Sequence, residues 1–143
     1  MEFDVIVVGG SFAGQAAALQ LGRARLRTLL VDAGSPRNRF ARTSHGFLGQ
    51  DGVPPSVIIS TARRQLATYA TVEVREGEVV DAAITEMGFR VSLADGKEVS
   101  AKRLILAIGV RDILPDLAGV EERWGVSVLH CPYCHGYELN QRP

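Results

Sequence analysis

The stretch Val5-Ile6-Val7-Val8-Gly9-Gly10-Ser11-Phe12-Ala13-Gly14 decides the fold, because an apolar, β-branched run passes directly into glycines. Such a run is typical of a strand that is buried on both faces, as in a parallel sheet. The alanines and leucines after Gly14 predict a helix that ends near Arg25, and Thr28–Val31 predicts a second buried strand. The order strand, helix, strand indicates a β-α-β unit with parallel strands and a right-handed crossover.

The glycine turn between the first strand and the helix has the layout of a dinucleotide-binding loop. Gly9 would make the tight turn, Gly14 would let helix and strand pack closely, and phosphates would lie on the free N–H groups of the helix N-terminus. Ser11 replaces the second glycine of the fingerprint, although its hydroxyl could itself bind phosphate. Asp32, which ends the second strand, is suited to bond ribose hydroxyls and would repel a 2′-phosphate, which favours FAD or NAD over NADP. The alternative is a glycine-rich turn without a ligand and an Asp that only caps a loop.

The rest of the chain continues the α/β pattern and adds short strands. Residues 33–54 predict a long loop rich in glycine and proline, of a kind that is usually functional, and a helix is expected from Pro55 to Tyr69 or Ala70. Further strands are predicted at Val72–Arg75, Glu78–Thr85, Phe89–Leu93, Lys97–Ser100, Leu104–Ile108 and Ser127–Leu129. Gly-containing turns join the three strands between Glu78 and Ser100, which indicates a small antiparallel meander. The apolar strand Leu104–Ile108 is expected in the parallel sheet.

Charge and hydropathy exclude some classes of protein. Lys and Arg number 16 and Asp and Glu also 16, so the formal net charge is zero. A nucleic-acid-binding protein would show a basic face, and none is indicated. No apolar run approaches the ~20 residues of a membrane-spanning helix, and Met1–Asp4 lacks the basic start of a signal peptide. We therefore expect a cytoplasmic protein that binds neither nucleic acid nor membrane.

The segment Cys131-Pro132-Tyr133-Cys134-His135 contains both cysteines of the chain. A C-x-x-C pair can close a disulfide with little backbone movement, and the motif lowers the thiol pKa so that a thiolate is available near neutral pH. His130 and His135 flank the pair, and either could stabilise a thiolate or relay a proton.

Three other interpretations of this segment stay open. A structural zinc site needs four ligands, and beyond the flanking histidines only His45 is available. Cys-x-x-Cys-His is also the attachment motif of c-type haem, which normally goes with export, and the pair could be a surface feature without a role. For a cytoplasmic chain a redox dithiol is favoured, and no metal site is expected.

Three segments together resemble the low-molecular-weight thioredoxin reductases, a family of FAD-dependent pyridine nucleotide-disulphide oxidoreductases. They are Val7–Gly14, Leu104–Gly109 and Cys131–Gly136. The last is most similar to a branch with Cys-Pro-Tyr-Cys-His-Gly-Tyr-Glu, which also contains flavin-dependent dithiol oxidases. The resemblance covers the whole chain, but only the N-terminal half of such an enzyme. It implies an α/β, Rossmann-like FAD-binding domain with a parallel sheet and an antiparallel meander. Residues 1–126 would be the N-terminal part of this domain, which is incomplete in the chain. Residues 127–143 would be a redox segment that leads toward an absent NAD(P)H domain.

The resemblance also implies roles for individual residues. Cys134 is similar to the flavin-proximal cysteine and Cys131 to the interchange cysteine, which attacks the substrate disulfide. His135 stands where reductases carry an Asp that protonates a thiolate. The residues expected to bind FAD are Gly9, Gly10, Ser11, Phe12, Ala13, Gly14, Asp32, Ala33, Arg39, His45, Gly49, Val79, Ala107, Ile108 and Gly109.

Some of these FAD contacts follow from a particular feature of the family. Val79 would reach the adenine through its backbone, and the loop His45–Gly49 would approach the flavin. Ala107-Ile108-Gly109 is similar to an Ala-Thr-Gly turn beside the cofactor, and Ile108 in place of Thr removes a hydroxyl contact. The Arg-rich stretch Arg37–Arg42 gives a separate hypothesis, that Arg37 or Arg39 approaches a cofactor phosphate; the favoured alternative is solvated charge at the ends of elements.

Two directions of electron flow are consistent with the resemblance. In one, NADPH reduces the flavin, and the Cys131/Cys134 pair then reduces a disulfide of a thioredoxin-like protein or a small molecule. In the other, a substrate dithiol reduces the pair and oxygen reoxidises the flavin without NADPH. Since the chain has one glycine fingerprint, we also expect that alone it is a fragment without turnover. The resemblance implies a homodimer.

Overall fold

The β-α-β unit that the N-terminal sequence predicts is present in the computed structural model, which describes residues 2–139. β1 (Phe3–Val8), α1 (Phe12–Arg23) and β2 (Thr28–Asp32) follow one another along the chain. The two strands are parallel, and Val5 lies opposite Thr28. The unit therefore brings the carboxyl ends of β1 and β2 to the same edge of the sheet.

The remaining elements are α2 (Pro55–Leu66), β3 (Val72–Glu76), β4 (Val79–Thr85), β5 (Gly88–Leu93), β6 (Glu98–Leu106), and the one-turn helices α3 (Val120–Arg123) and α4 (Pro132–His135). Short 3-10 turns cover Arg37–Phe40 and Tyr137–Leu139. The helix α2 begins where the sequence predicts and ends a few residues earlier, before the turn at Thr68.

One mixed sheet contains all six of these strands, in the order β3-β2-β1-β6-β5-β4. The strands β3, β2, β1 and β6 run parallel to one another, whereas β5 pairs antiparallel with both β6 and β4. The predicted fold class, a Rossmann-like α/β fold with a parallel sheet and an antiparallel part, is confirmed.

The prediction of separate strands at Lys97–Ser100 and Leu104–Ile108 is wrong, because both belong to β6. This nine-residue strand pairs with β5 and with β1 at once, and Ala101 faces Phe3 on one side and Phe89 on the other. Lys102 and Arg103 lie in the middle of β6 with exposed side chains. Lys102 donates to a carboxylate oxygen of Asp4 on β1 at 2.8 Å. At the position where the sequence predicts the end of a strand, β6 therefore makes a polar side-chain contact with β1.

The core packs on both faces of the sheet, as the alternation of side chains along a strand requires. On one face, residues of β1 and β2 pack against both long helices; these are Val5, Val7, Ala18, Leu30 and Leu66. On the other face, β1 and β2 pack with the antiparallel part of the sheet, through residues such as Ile6, Leu29, Val31, Val91 and Val99. The central strands β1 and β2 are thus held from both sides.

The chain divides into two compact units. The first consists of the described part of Met1–Pro36 together with Ile59–Gly109, and it contains the sheet. The second consists of Arg37–Ile58 and the described part of Val110–Pro143, and it contains the cysteines. Each unit is described separately below.

The second unit contains short helices rather than the strand predicted at Ser127–Leu129. That prediction is wrong: Val128 makes only an isolated bridge with Trp124. The backbone N–H groups of Val126, Ser127 and Val128 donate instead to the Arg123 carbonyl, so this segment folds back on α3. A local turn therefore satisfies the hydrogen bonds that a strand would need from a neighbour.

Candidate functional site

In the glycine loop of the first unit, backbone segments lie too close together for side chains. Gly9 follows β1 with a φ of 106°, a region that glycine adopts readily and other residues rarely. Its N–H donates to the Val31 carbonyl of β2 at 2.8 Å. A Cβ on Gly14 would overlap the Gly9 carbonyl oxygen, so α1 lies closer to the loop than a side chain would allow.

The N-terminus of α1 has the properties of an anion site. Ser11 is the N-cap, and its side chain makes no hydrogen bond to the N–H groups of the helix. No acidic residue lies in the first turn, which begins at Phe12. The N–H groups at a helix N-terminus and the positive end of the helix dipole suit a phosphate. The predicted residues Gly9 to Gly14 thus form a cradle that fits a pyrophosphate.

Asp32 lies at the end of β2 and is almost buried, with 9% of the residue exposed. One carboxylate oxygen accepts the N–H of Gly34 at 2.9 Å, and the other accepts a hydrogen bond from Arg63 of α2. Sequence reasoning missed Arg63, because an ion pair between residues 31 positions apart leaves no local pattern. The adjacent Ala33 is exposed.

The turn Ala107-Ile108-Gly109 lies beside the glycine loop. The Ala107 N–H donates to the Val8 carbonyl at 2.8 Å, and a Cβ on Gly9 would overlap the Ala107 carbonyl oxygen. Ile108 is 67% exposed. The structure thereby brings two of the three resembling segments together at one edge of the sheet.

Val79, the residue expected near an adenine, begins β4 and is partly buried. The turn before it is tied to the end of β2, because the Gly77 N–H donates to the Asp32 carbonyl at 3.0 Å. The segments that carry Val79 and Asp32 therefore meet at the same edge.

In the second unit, Cys131 and Cys134 are joined by a disulfide. Cys131 is the N-cap of α4, and its Sγ accepts the N–H of Cys134 at 3.1 Å. Pro132 fits the first helical position because it needs no N–H partner there. A donor on the sulfur favours the thiolate once the pair is reduced, so the geometry distinguishes Cys131 from Cys134.

His130, the residue before Cys131, lies near two other rings. The His130 ring lies 5.6 Å from the Trp124 ring and 6.3 Å, edge to face, from His135. Its Nδ1 atom is buried and has no hydrogen-bond partner in the described part of the chain. Burial lowers the pKa of His130, the positive charge of Arg37 and the nearby His135 also lower it, and Asp112 opposes them.

An ion pair accompanies these histidines. Arg37 donates through Nε to Asp112 at 2.9 Å and through its terminal nitrogen to the other carboxylate oxygen at 2.5 Å. This double contact lowers the pKa of Asp112 and raises that of Arg37. The pair fixes one negative and one positive charge within reach of His130.

His45, predicted to lie in a cofactor loop, contacts polar groups of the same unit. Its Nε2 lies 3.1 Å from the Thr43 hydroxyl and 3.3 Å from a Glu138 carboxylate oxygen. Its Nδ1 lies 3.5 Å from Asp51. The ring thereby links the loop 41–53 with the segment that follows the cysteines.

Of the two other predicted residues of this unit, Gly49 lies on a loop and Arg39 in the 3-10 turn Arg37–Phe40. Gly49 is exposed with a φ of 79°. The Arg39 guanidinium lies 4.3 Å above the Phe40 ring.

Comparison with known proteins places the chain in a family. Residues 3–143 match the family described as Pyridine nucleotide-disulphide oxidoreductase. The chain belongs to this family. It is 60% identical to an oxidoreductase from Agrobacterium tumefaciens, whose crystal structure superposes with a TM-score of 0.93 over 99% of this chain and 48% of that chain.

Two further relatives support membership of the pyridine nucleotide-disulphide oxidoreductases. The sequence of HlmI is 46% identical to this chain, and its crystal structure superposes with a TM-score of 0.89 over 95% of this chain and 44% of that chain. Thioredoxin reductase tcpT of Claviceps purpurea is 36% identical over 94% of this chain and 43% of its own length. The chain spans 37% to 48% of the length of the first five curated relatives that it matches.

Two findings bear on other classes of site, both for residues 2–139. No helix there is long and apolar enough to cross a membrane. No three side chains of His, Cys, Asp or Glu in that range are placed to hold a metal ion. The sulfur atoms, which zinc would need as thiolates, are bonded to each other.

Proposed function

We propose that this chain is the FAD-binding and disulfide-bearing part of a flavin-dependent thiol–disulfide oxidoreductase similar to thioredoxin reductase. The observation that carries the proposal is the Cys131–Cys134 disulfide, with a backbone donor on the Cys131 sulfur, in a member of the pyridine nucleotide-disulphide oxidoreductase family. The Cys-Pro-Tyr-Cys-His-Gly-Tyr-Glu segment favours the branch that contains both reductases and dithiol oxidases.

The cofactor would be held at the edge of the sheet. Gly9 to Gly14 would bind the pyrophosphate, Asp32 the adenosine ribose, and Val79 the adenine, with Ala107 to Gly109, Ala33, Arg39, His45 and Gly49 as further contacts. FAD supplies two-electron transfer between a hydride donor or oxygen and the cysteine pair. NADPH is the proposed donor.

The cysteines would carry the exchange with substrate. Two electrons and two protons convert the Cys131–Cys134 disulfide into two thiols. The Cys131 thiolate attacks one sulfur of a substrate disulfide, which forms a mixed disulfide and releases one substrate thiol. The Cys134 thiolate then attacks the Cys131 sulfur, which restores the disulfide and releases the second thiol.

His135 would move the proton that this exchange requires. It follows Cys134 directly and occupies the position at which similar reductases carry an Asp. A partly buried imidazole can protonate the leaving thiolate in one direction and accept a thiol proton in the other.

The direction of electron flow can be tested on the complete protein under anaerobic conditions. Addition of NADPH should bleach the flavin absorbance near 450 nm, and a disulfide substrate should then restore it. No bleaching by NADPH or NADH would contradict the reductase proposal.

A dithiol oxidase is the second candidate, and His135 favours it, because oxidation of a substrate dithiol needs a base that accepts thiol protons. In this case a dithiol should bleach the flavin anaerobically without NADPH, and air should restore the colour with consumption of oxygen. An enzyme that bleaches with NADPH and not with dithiols would contradict this candidate.

The proposal also covers the partner, the oligomeric state and the location of the protein. The partner would be a thioredoxin-like protein or a small disulfide or dithiol, and the complete enzyme would be a homodimer. A cytoplasmic location is also proposed, and in that compartment a C-x-x-C pair is more often catalytic than structural.

A further inference from the structure

Arg63 lies at the same edge of the sheet as Asp32, and the proposed function gives it no role. It lies on α2 with 35% of its side chain exposed, and its guanidinium pairs with Asp32, whose side chain is 11% exposed. A second carboxylate, Glu76, lies 3.4 Å away but is 85% exposed. Water and salt screen the Glu76 contact, so Asp32 is the partner that Arg63 holds.

The Asp32 carboxylate is fixed from three directions. The Gly34 N–H donates to one oxygen, and Arg63 donates to the other. The Gly10 backbone lies against the carboxyl carbon, where any added Cβ would overlap it. Since a carboxylate has about four acceptor positions, two remain for a ligand, and their directions are set by the two donors already bound.

We infer that Arg63 is a positioning residue for the adenosine ribose of the cofactor, which acts by holding the Asp32 carboxylate in the orientation that accepts the two ribose hydroxyls. The inference rests on the proposed function, because it takes FAD as the ligand of this edge. Without Arg63, the Gly34 N–H would be the one remaining hydrogen-bond donor described on the carboxylate. The second oxygen would then no longer be held, and both hydroxyl contacts would weaken together.

The test measures binding rather than activity. Protein freed of flavin is titrated with FAD, and with an FAD analogue that lacks the 2′-hydroxyl of the adenosine ribose, by quenching of flavin fluorescence. The wild type should prefer FAD by about tenfold, the value of one hydrogen bond to a charged group. Arg63→Gln should bind FAD about tenfold more weakly and show little preference between the two ligands.

The matched control is Arg64→Gln, which removes the same charge from the next position of the same helix. Arg64 is exposed and donates to the Thr61 hydroxyl at 2.9 Å rather than to Asp32, so this variant should keep the wild-type preference. Arg63→Lys keeps the charge without the planar fork and should recover part of the preference.

The outcomes separate this inference from the proposed function. If Arg63→Gln weakens both ligands equally and keeps the tenfold preference, Arg63 serves only the stability of the fold and the inference is wrong. If Arg63→Gln does not fold, as judged by circular dichroism, Arg63→Lys decides, and an unchanged preference and FAD affinity in that variant would overturn the inference. A wild type that binds no FAD would overturn the proposed cofactor together with the inference.

Discussion

At the residue scale, the two sulfurs of the Cys131–Cys134 disulfide have different environments. The Cys131 Sγ accepts a backbone N–H within its own turn, and no such bond is present at Cys134 among the contacts of the described residues. A hydrogen bond to a thiolate stabilises its charge, and the thiolate is the reactive form. The assignment of Cys131 as the residue that attacks substrate is consistent with this difference.

We therefore expect Cys131 to alkylate faster than Cys134 in the reduced protein. Limited treatment with iodoacetamide at pH 7, followed by peptide mass spectrometry, should show at least about threefold more label on Cys131. The same protein in concentrated urea is the control, since both thiols should then react alike. Equal labelling in the folded protein, or faster labelling of Cys134, would contradict the assignment.

His130 should make stability depend on pH. Burial lowers its pKa, and Arg37 and His135 lower it further against the opposing charge of Asp112. The unfolded chain then binds a proton more readily than the folded chain. The stabilisation is therefore complete above the unfolded pKa of about 6.5 and decreases as the pH falls below that value.

The measurement is urea denaturation at pH 7.5 and pH 5.5. Wild type should lose more free energy of unfolding between these values than His130→Gln, whose side chain has a similar polarity and does not titrate. An identical loss in both proteins would show that other groups cause the dependence.

At the element scale, the packing of α1 against the glycine loop depends on Gly14. Ala is a better helix former than Gly by about 1 kcal/mol, but an added Cβ would overlap the Gly9 carbonyl oxygen, which is backbone and cannot rotate away. We expect Gly14→Ala to lower the free energy of unfolding by about 2 kcal/mol, in the range of overpacked cores. Urea denaturation measures this change.

Gly22→Ala is the matched variant within the same helix. Its Cβ would meet side-chain atoms, Val72 Cγ2 at 2.8 Å and Tyr69 Cγ at 3.1 Å, which can shift. We expect a smaller loss than for Gly14→Ala. A Gly22→Ala loss equal to or above that of Gly14→Ala would contradict the argument from backbone overlap.

The elements that the sequence predicts well are those with a local cause. Val5–Val8 and Thr28–Val31 are apolar and β-branched, and the glycines between them require a tight turn, so the β-α-β unit follows from neighbours in sequence. The sequence pattern predicts two strands in place of β6 because Lys102 and Arg103 interrupt its apolar run. Pairing with β1 and β5 on both sides keeps the strand continuous, and such pairing is a tertiary effect.

In the candidate site, too, the residues that belong to a local sequence motif could be predicted and the others could not. The glycine loop, Asp32 and the cysteine pair carry motifs, and the structure gathers the first two at one edge of the sheet. Arg63 and the Arg37–Asp112 pair carry none, because their partners lie 31 and 75 positions away. Contacts of that kind depend on the folded arrangement rather than on any short pattern of residues.

At the scale of the whole molecule, residues 2–139 contain one glycine loop of the proposed nucleotide-binding kind. The chain spans 37% to 48% of the length of the first five curated relatives that it matches. We expect the isolated 143-residue chain to show no NADPH-dependent reduction of a disulfide dye, because one cradle cannot hold two dinucleotides. Absorbance at 412 nm with 5,5′-dithiobis(2-nitrobenzoic acid) measures this activity, and the complete protein is the positive control. Turnover by the isolated chain would contradict this expectation.

The position of β1 at the centre of the sheet has a consequence for synthesis on the ribosome. Its second partner, β6, lies about a hundred residues later in the chain, which corresponds to roughly 5 to 20 s of translation. Until then β1 is an open edge of aliphatic residues with unpaired backbone groups, the kind of surface that recruits other nascent strands. The fold thus exposes its most apolar strand longest during translation, and protection by a chaperone would matter most in that interval.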